Sequence, residues 1–469
     1  MIFEKLLQGE PSGIFGIGYE DPNTVGIICI IIILTLVVCG VRVVFAASIA
    51  GIIGLVELIG FGPALGNIGA IPYSKSVTFV LGLLPIFILI GFLAYQAGIT
   101  RQLFEAAKAW VGAVPGGLAV ATVFSAAGFA AVSGASTATA AVFSRIAIPE
   151  MLKEGYDKKL AAGVVAAGGT LASLIPPSAI LIIYAIIVEE SIGALLLAGF
   201  LPGIFSAIVY AGIIILWAKF NPTLGPPSRK YTINERLKTL PGVLPILIVI
   251  AVIVSAIYAG WATPTEAGSL GAFVVLIMAI YNKMKLASLK IALIETAKLV
   301  AMIFSIIWGV LIFVRFLGFS GLPENFANWI VSLPYDPYII LLLILLGYVI
   351  LGMFIDAIGL LLLTLPVVYP AVILLNGGPD VTADQSPFGM SFNQVSVWFG
   401  IIVVKMAEVC LITPPIGLNC FVVAGVRKDI PVTDVFKGVT LFFIADILTI
   451  LALVMFPAII TWLPDLMRS

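Results

Sequence analysis

The sequence predicts an all-α polytopic membrane protein made of two inverted-topology repeats, each carrying a re-entrant hairpin and a transmembrane helix broken at a Pro-Pro pair. Three observations lead there. Hydrophobic residues make up 61% of the 469-residue chain and charged residues 10%, too few polar side chains to cover a soluble domain. Apolar runs able to cross about 30 Å of hydrocarbon recur from end to end. The unusual elements also come twice in the same order, on either side of a basic, proline-containing stretch, "KFNPTLGPPSRKYTINERLKT".

Taken in order, residues 1–22 hold Glu4, Glu10 and Glu20 and lack an apolar h-region, so they read as an outside segment and not as a cleavable signal. The first repeat is 23–218. It starts with crossings at 25–41, 43–61 and 77–97. Residues 116–150 would span roughly 52 Å as one straight helix, beyond any bilayer. The cluster "SGAST", Ser133 to Thr137, lies near the middle, so the segment reads as a hairpin with that cluster at its tip. A broken helix at 159–188 follows, carrying "IPPS", and then a crossing at 192–218. The linker 219–239 leads into the second repeat, 240–463, with crossings at 240–261, 262–281 and 291–319. Its hairpin, 338–371, turns around "GMFIDA", its broken helix, 395–426, carries "TPPIGLN", and a last crossing covers 435–463 before the outside tail 464–469. About ten crossings result.

Charge supplies a check that was not used to draw this topology. With ten crossings, most of the 24 basic residues fall on one side, among them Arg42, Arg101, Lys153, Arg229 and Lys285. Lys5, Lys75 and Arg468 fall on the other. The positive-inside rule makes the first side cytoplasmic and both termini periplasmic.

Composition excludes several classes of function. A formal charge of zero argues against nucleic acid as a partner. The chain has no histidine, which excludes a Ser-His dyad and histidine-ligated haem, and it lacks a GxGD pattern, so we expect no enzyme. Cys29, Cys39, Cys410 and Cys420 lie in apolar runs without metal-ligand spacing and read as small buried residues. A channel would ordinarily surround one pore with several copies, whereas two inverted copies in one chain suit alternating access.

Secondary transporters of this build bind substrate and coupling ions where helices break near the midplane. A Pro-Pro pair removes two backbone donors and frees carbonyls of the preceding turn, which lipid tolerates only if protein, water or an ion satisfies them. At the first break the carbonyls of Ala172 to Ile175 should face the Ser133 and Ser136 hydroxyls, forming an uncharged oxygen cage suited to sodium. At the second, Cys410 stands four residues before Pro414 as Ala172 does before Pro176. Thr413 adds a hydroxyl, and symmetry places Gly352 opposite. Close helix packing is the competing reading for Ser133, Ser136 and Thr137. Arg145, the one arginine in either hairpin, has two readings: contact with an anionic substrate, or a pair with Glu150. Ser178 and Asn419, beside the two Pro-Pro pairs, are further candidate substrate contacts.

These stretches resemble the large membrane subunit of tripartite ATP-independent periplasmic (TRAP) transporters. The likeness rests on "SGAST", "IAIPEMLKEGYDKKLAAGVVAAGGTLASLIPPS" and "LITPPIGLN". It extends through "GVRVVFAASIAGIIGLV", "WATPTEAGSLGAF" and "GMFIDAIGLLLLTLP" over nearly the whole chain. The resemblance implies an elevator-type, sodium-driven importer of organic acids in the inner membrane, working with a small four-helix membrane subunit and a periplasmic substrate-binding protein. It implies one sodium at Ser133, Ser136, Ala172, Ile175 and Pro177, and another at Gly352, Cys410, Thr413 and Ile416. Ala172 and Cys410 stand where the family usually has glycine, and Arg42 where it commonly has proline. A stand-alone ion-coupled transporter of organic anions is the alternative.

Overall fold

A computed structural model describes residues 21–76 and 79–468 of the chain; the expected outer segment 1–22 falls almost wholly outside them, as does the side chain of Lys75. Among the described residues every regular element is a helix. Six helices are long and apolar enough to cross a bilayer, or eight if each of two sharply bent pairs counts as one span. The expectation of about ten crossings included shorter apolar helices such as Pro22–Val38 and Val43–Ile59, which fall below that length.

The chain forms two compact units. One comprises Met1–Leu81, Ile186–Glu190 and Ala301–Phe399. In it, helix Val43–Ile59 lies close against the long helix Leu286–Ser320. A Cβ added at Gly51 would sit 2.7 Å from the Phe313 backbone, so only glycine permits that approach. Helix Pro337–Gly352 ends at Gly352, and Ala357–Leu375 begins at once with Asp356 as its cap, accepting from the Gly359 amide at 3.1 Å. Asp356 thus has a structural post. Glu266, in the second unit, has one too. It closes a capping box with Thr263, accepting from that residue's amide at 2.7 Å.

The second unit comprises Gly82–Ala185, Ser191–Val300 and Gly400–Ser469. Segment 116–150 is two helices, Gly117–Ser133 and Ser136–Lys153, separated by Gly134 and Ala135. Segment 159–188 is helix Lys158–Thr170, a 3-10 turn Leu171–Ser173, the two prolines, and helix Ala179–Val188. Asp157 starts it, its carboxylate accepting from the Lys159 and Leu160 amides at 2.8 and 3.1 Å. Segment 395–426 is Phe392–Cys410 and Leu418–Val426. Both Pro-Pro bonds are cis. Helix Lys158–Thr170 crosses Val432–Met455 at Gly163 and Gly438, where a Cβ on Gly438 would strike the Lys159 carbonyl.

Two sequence expectations are corrected here. Segment 435–463 is not one helix: Val432–Met455 stops before Pro457, which forces Phe456 out of helical geometry, and Ala458–Arg468 then covers the expected tail. Cys39, read as buried, is exposed. The linker 219–239 is tied to neighbouring segments. The Leu224, Gly225 and Ser228 backbones bond Asp157, Gly116 and Gly112 at 2.9 to 3.0 Å, and Ser228 is buried.

Candidate functional site

The second unit gathers the first break into a buried, hydroxyl-rich knot. Ser133 ends one hairpin helix; Gly134, at φ +59°, reverses the chain; and Ala135 is extended, so that Ser136 opens the next helix. Glycine is required at 134 twice over, by its left-handed backbone and because a Cβ there would meet the Pro177 carbonyl. The hairpin tip is joined to the broken segment by two links. The Ala179 amide donates to the Gly134 carbonyl at 3.3 Å, and the Ser136 and Ser173 hydroxyls lie 2.5 Å apart. Ser133 pairs with Thr139 at 3.0 Å, and the Thr139 hydroxyl also donates to the Ala135 carbonyl at 3.0 Å.

Ser133, Ser136, Thr139, Ala172, Ser173, Ile175 and Ser178 are all buried. Of the carbonyls that the two prolines release, that of Ser173 is taken by the Ser178 hydroxyl. Ser178 also accepts from the Leu181 amide at 3.3 Å, so it caps the helix after the break. Ile175 places its side chain against Gly203 of helix Ile192–Phe220. Thr139 and Ser173 were missed from sequence: Thr139 lies one turn after Ser136, just past the quoted motif, and Ser173 lies inside one, three residues before Pro176.

The second break is arranged differently. Cys410, Thr413 and Ile416 follow one another on its segment, with Cys410 and Thr413 buried and Ile416 exposed. The Thr413 hydroxyl donates back to the Val409 carbonyl at 2.6 Å, and the Cys410 thiol faces the Met406 carbonyl at 3.2 Å. Gly352, the fourth residue expected here, is buried in the first unit. Asn419 ties the two breaks together. Its amide nitrogen donates to the Ala166 carbonyl at 3.1 Å, its backbone N–H to Leu411 at 2.9 Å, and its side-chain oxygen has no hydrogen-bond partner among the described residues. Beyond the segment, Arg427 grips Asp429 through two bonds of 2.8 and 2.7 Å, which holds that exposed carboxyl down to about 2.

Arg145 is exposed. The structure pairs Glu150 with Lys108 at 3.1 Å and not with Arg145. Lys405 and Glu408, one turn apart, pair at 2.7 Å, and Lys405 reaches a second carboxylate, Asp446, at 2.8 Å.

The donor set at the first break is neutral oxygen: hydroxyls of Ser133, Ser136, Thr139 and Ser173 with nearby backbone carbonyls. No group of three or more His, Cys, Asp or Glu side chains able to hold a metal occurs among the described residues. Neutral oxygens suit a hard monovalent cation and offer too little charge for a tightly held divalent one. Thr413 and Cys410, which already turn to their own helix carbonyls, fit such an ion less well.

Comparison with known proteins places this geometry in a family. The family model described as "Tripartite ATP-independent periplasmic transporter, DctM component" matches residues 25–459. The chain is 31% identical to the C4-dicarboxylate TRAP transporter large permease protein DctM of Pseudomonas aeruginosa, covering 88% of this chain and 91% of that one. It is also 31% identical to the sialic acid TRAP transporter large permease protein SiaM of Vibrio cholerae, covering 83% and 87%. A solved structure, the Alcanivorax borkumensis YdaH transporter, shares the fold at a TM-score of 0.55 and 16% identity, covering 84% and 87%.

Proposed function

Because this chain belongs to the DctM-component family of tripartite ATP-independent periplasmic transporters, we propose that it is the sodium-coupled subunit that carries an organic acid anion across the inner membrane. In this reading a periplasmic binding protein delivers the substrate, and a small four-helix membrane subunit completes the scaffold. The named relatives act on C4-dicarboxylates and sialic acid, both organic acids, which supports the substrate class.

The observation that carries the sodium proposal is the hydroxyl knot at the first break. Ser133, Ser136 and the backbone near Ala172, Ile175 and Pro177 would hold one sodium, with Ser173 and Thr139 in reach of the same hydroxyls. Sodium would supply positive charge that offsets the charge of an anionic substrate. Cys410, Thr413 and Ile416 would contribute to a second. Asn419, buried with an open acceptor, is the better-supported substrate contact; Ser178 is occupied as a cap, and Arg145 would reach substrate only from an exposed position. Alternation of access would follow an elevator motion of inverted repeats, a reading supported by the recurring order of hairpin and Pro-Pro segment.

The test is reconstitution in liposomes under an inward sodium gradient, with the chain alone, with the small subunit, and with both partners. We expect concentrative organic acid uptake only in the last. Full uptake by the chain alone would favour a stand-alone transporter, and uptake indifferent to sodium would remove the coupling.

A further inference from the structure

Arg315 lies in the first unit, near the end of helix Leu286–Ser320, and no carboxylate among the described residues pairs with it. That helix has 35 residues, about 52 Å at 1.5 Å per residue, longer than the roughly 40–45 Å of a bilayer with its headgroups. Between Lys298 and Arg315 it carries no charge over about 26 Å, close to the thickness of the hydrocarbon core. With that stretch in the core, the guanidinium stands at the depth of the lipid phosphates on one side.

The side chain is held, but its charge is left over. Its Nε donates to Asn67 Oδ1 at 3.1 Å, and Asn67 is fixed in turn by donating its amide to the Pro63 carbonyl at 3.0 Å. The guanidinium sits over the Phe319 ring, 5.7 Å from its centroid. These partners are neutral. The terminal nitrogens make no hydrogen bond to a described residue, and Arg315 lines a cleft of about 630 Å³ between this helix and Phe61–Ser76. No acidic side chain is among the described residues that line it. One turn on, Gly318 keeps the space beside the guanidinium free, since an added Cβ there would meet no described atom within 4 Å. In the other direction the same helix face continues as Leu311, Trp308 and Phe304, each half-buried and about one turn from the next.

A single uncompensated cation at headgroup depth, joined to an apolar seam that runs toward the middle of the bilayer, has the shape of an amphiphile with an anionic head. Guanidinium takes phosphate oxygens in a bidentate grip. A water-soluble anion would use the charge and leave the seam bare. We propose that this cleft binds the phosphodiester headgroup of a membrane phospholipid, with the Arg315 terminal nitrogens on the phosphate and an acyl chain along Leu311, Trp308 and Phe304. Asn67 is a positioning residue, which turns those nitrogens outward by holding Nε. Binding there requires neither sodium nor transported substrate.

Native mass spectrometry of the purified, delipidated full-length protein tests this, with dioleoylphosphatidylglycerol, dioleoylglycerol or inorganic phosphate added back. We expect wild type to bind one dioleoylphosphatidylglycerol that Arg315→Met binds at least about tenfold more weakly, because the charge-assisted bonds are lost. Gly318→Leu should weaken it similarly by filling the cleft. That variant keeps the guanidinium and replaces a helix glycine by a better helix former, so the test survives if Arg315→Met fails to fold. Dioleoylglycerol, which lacks the phosphate, should not distinguish wild type from either variant. Wild-type affinity for dioleoylphosphatidylglycerol in a folded Gly318→Leu protein would overturn the assignment. So would equally tight binding of dioleoylglycerol, or full displacement of the lipid by inorganic phosphate, which would make this a simple anion site. Displacement of the lipid by the small membrane subunit, with Arg315→Met weakening that subunit's association, would give the cleft to a protein partner and likewise overturn it.

Discussion

Replacing Ser133 and Ser136 by alanine separates a cation ligand from a packing residue. Ser136 is 7% exposed with its hydroxyl 2.5 Å from that of Ser173, and Ser133 is 2% exposed with its hydroxyl 3.0 Å from that of Thr139. In the folded chain each alanine removes one neutral hydrogen bond, which costs about 0.5–1.5 kcal/mol, and only one oxygen's volume. If the same hydroxyl turns toward a bound sodium, the lost interaction is with a full charge. That loss is about 1.5–3 kcal/mol, equivalent to roughly 10- to 150-fold in sodium affinity. The two effects are read separately. Thermal midpoints in sodium-free buffer report the packing loss, and the added stabilisation by sodium reports affinity, since a ligand that binds only the folded state stabilises it in proportion to the logarithm of its concentration over Kd. We expect the double variant to fold with a modestly lowered midpoint, to lose most of its sodium-induced shift, and to need at least tenfold more sodium for half-maximal uptake. An unchanged sodium requirement in a folded double variant refutes the ligand role.

Lys405→Met should destabilise the protein by about 3–5 kcal/mol, because it strands two carboxyls in a site with no exposure; adding Glu408→Gln should restore part of that loss in the same thermal assay. Gly438→Leu should cost at least about 1–3 kcal/mol and lower the yield of folded protein in detergent, since its Cβ collides with the Lys159 carbonyl across the crossing. Single cysteines at Lys230 and Gln385, both exposed, in a background with the exposed Cys39 replaced by serine, should label from the cytoplasm and from outside respectively. Labelling of both from one side would exclude the inverted repeat.

What the sequence made legible were features that interrupt an apolar run locally. "SGAST" and the two Pro-Pro pairs announce breaks because polarity, glycine and missing amides all act within one turn of chain, and the helices do end beside them. Side-chain partnerships across helices were not legible in the same way. Lys405 and Glu408 share a face, so their pairing could be read from spacing, but Asp446 and Tyr210 reach the cluster only through the packing of separate helices. Glu150 turned to Lys108 for the same reason. The burial of Ser228 depends on the linker bonding Gly112 and Gly116, which no local pattern encodes. Glu266 and Asp356 stand as acidic residues in largely apolar stretches. They are helix caps, a role that "TPTE" and "DAIG" could have signalled.

The two breaks share a Pro-Pro pair but not a chemistry, and the difference bears on which of the two proposed ion sites would be organised first. At the first, hydroxyls from two segments meet and satisfy one another, so a cation entering there exchanges weak neutral bonds for ion–oxygen contacts without unfolding a helix. At the second, the Thr413 hydroxyl and Cys410 thiol are committed to carbonyls of their own helix, and Gly417, at φ +38°, folds the chain against Phe436. Binding there must first rotate Thr413 away from Val409, at about 0.5–1.5 kcal/mol for that bond. Asn419 couples the two sites, because its amide holds the Ala166 carbonyl one turn before the first break while its other end stays open. An ion that orders the first break therefore fixes Ala166, and through it the orientation of Asn419. Under the proposed function, sodium at the first site would thereby have a physical route to prepare the proposed substrate contact.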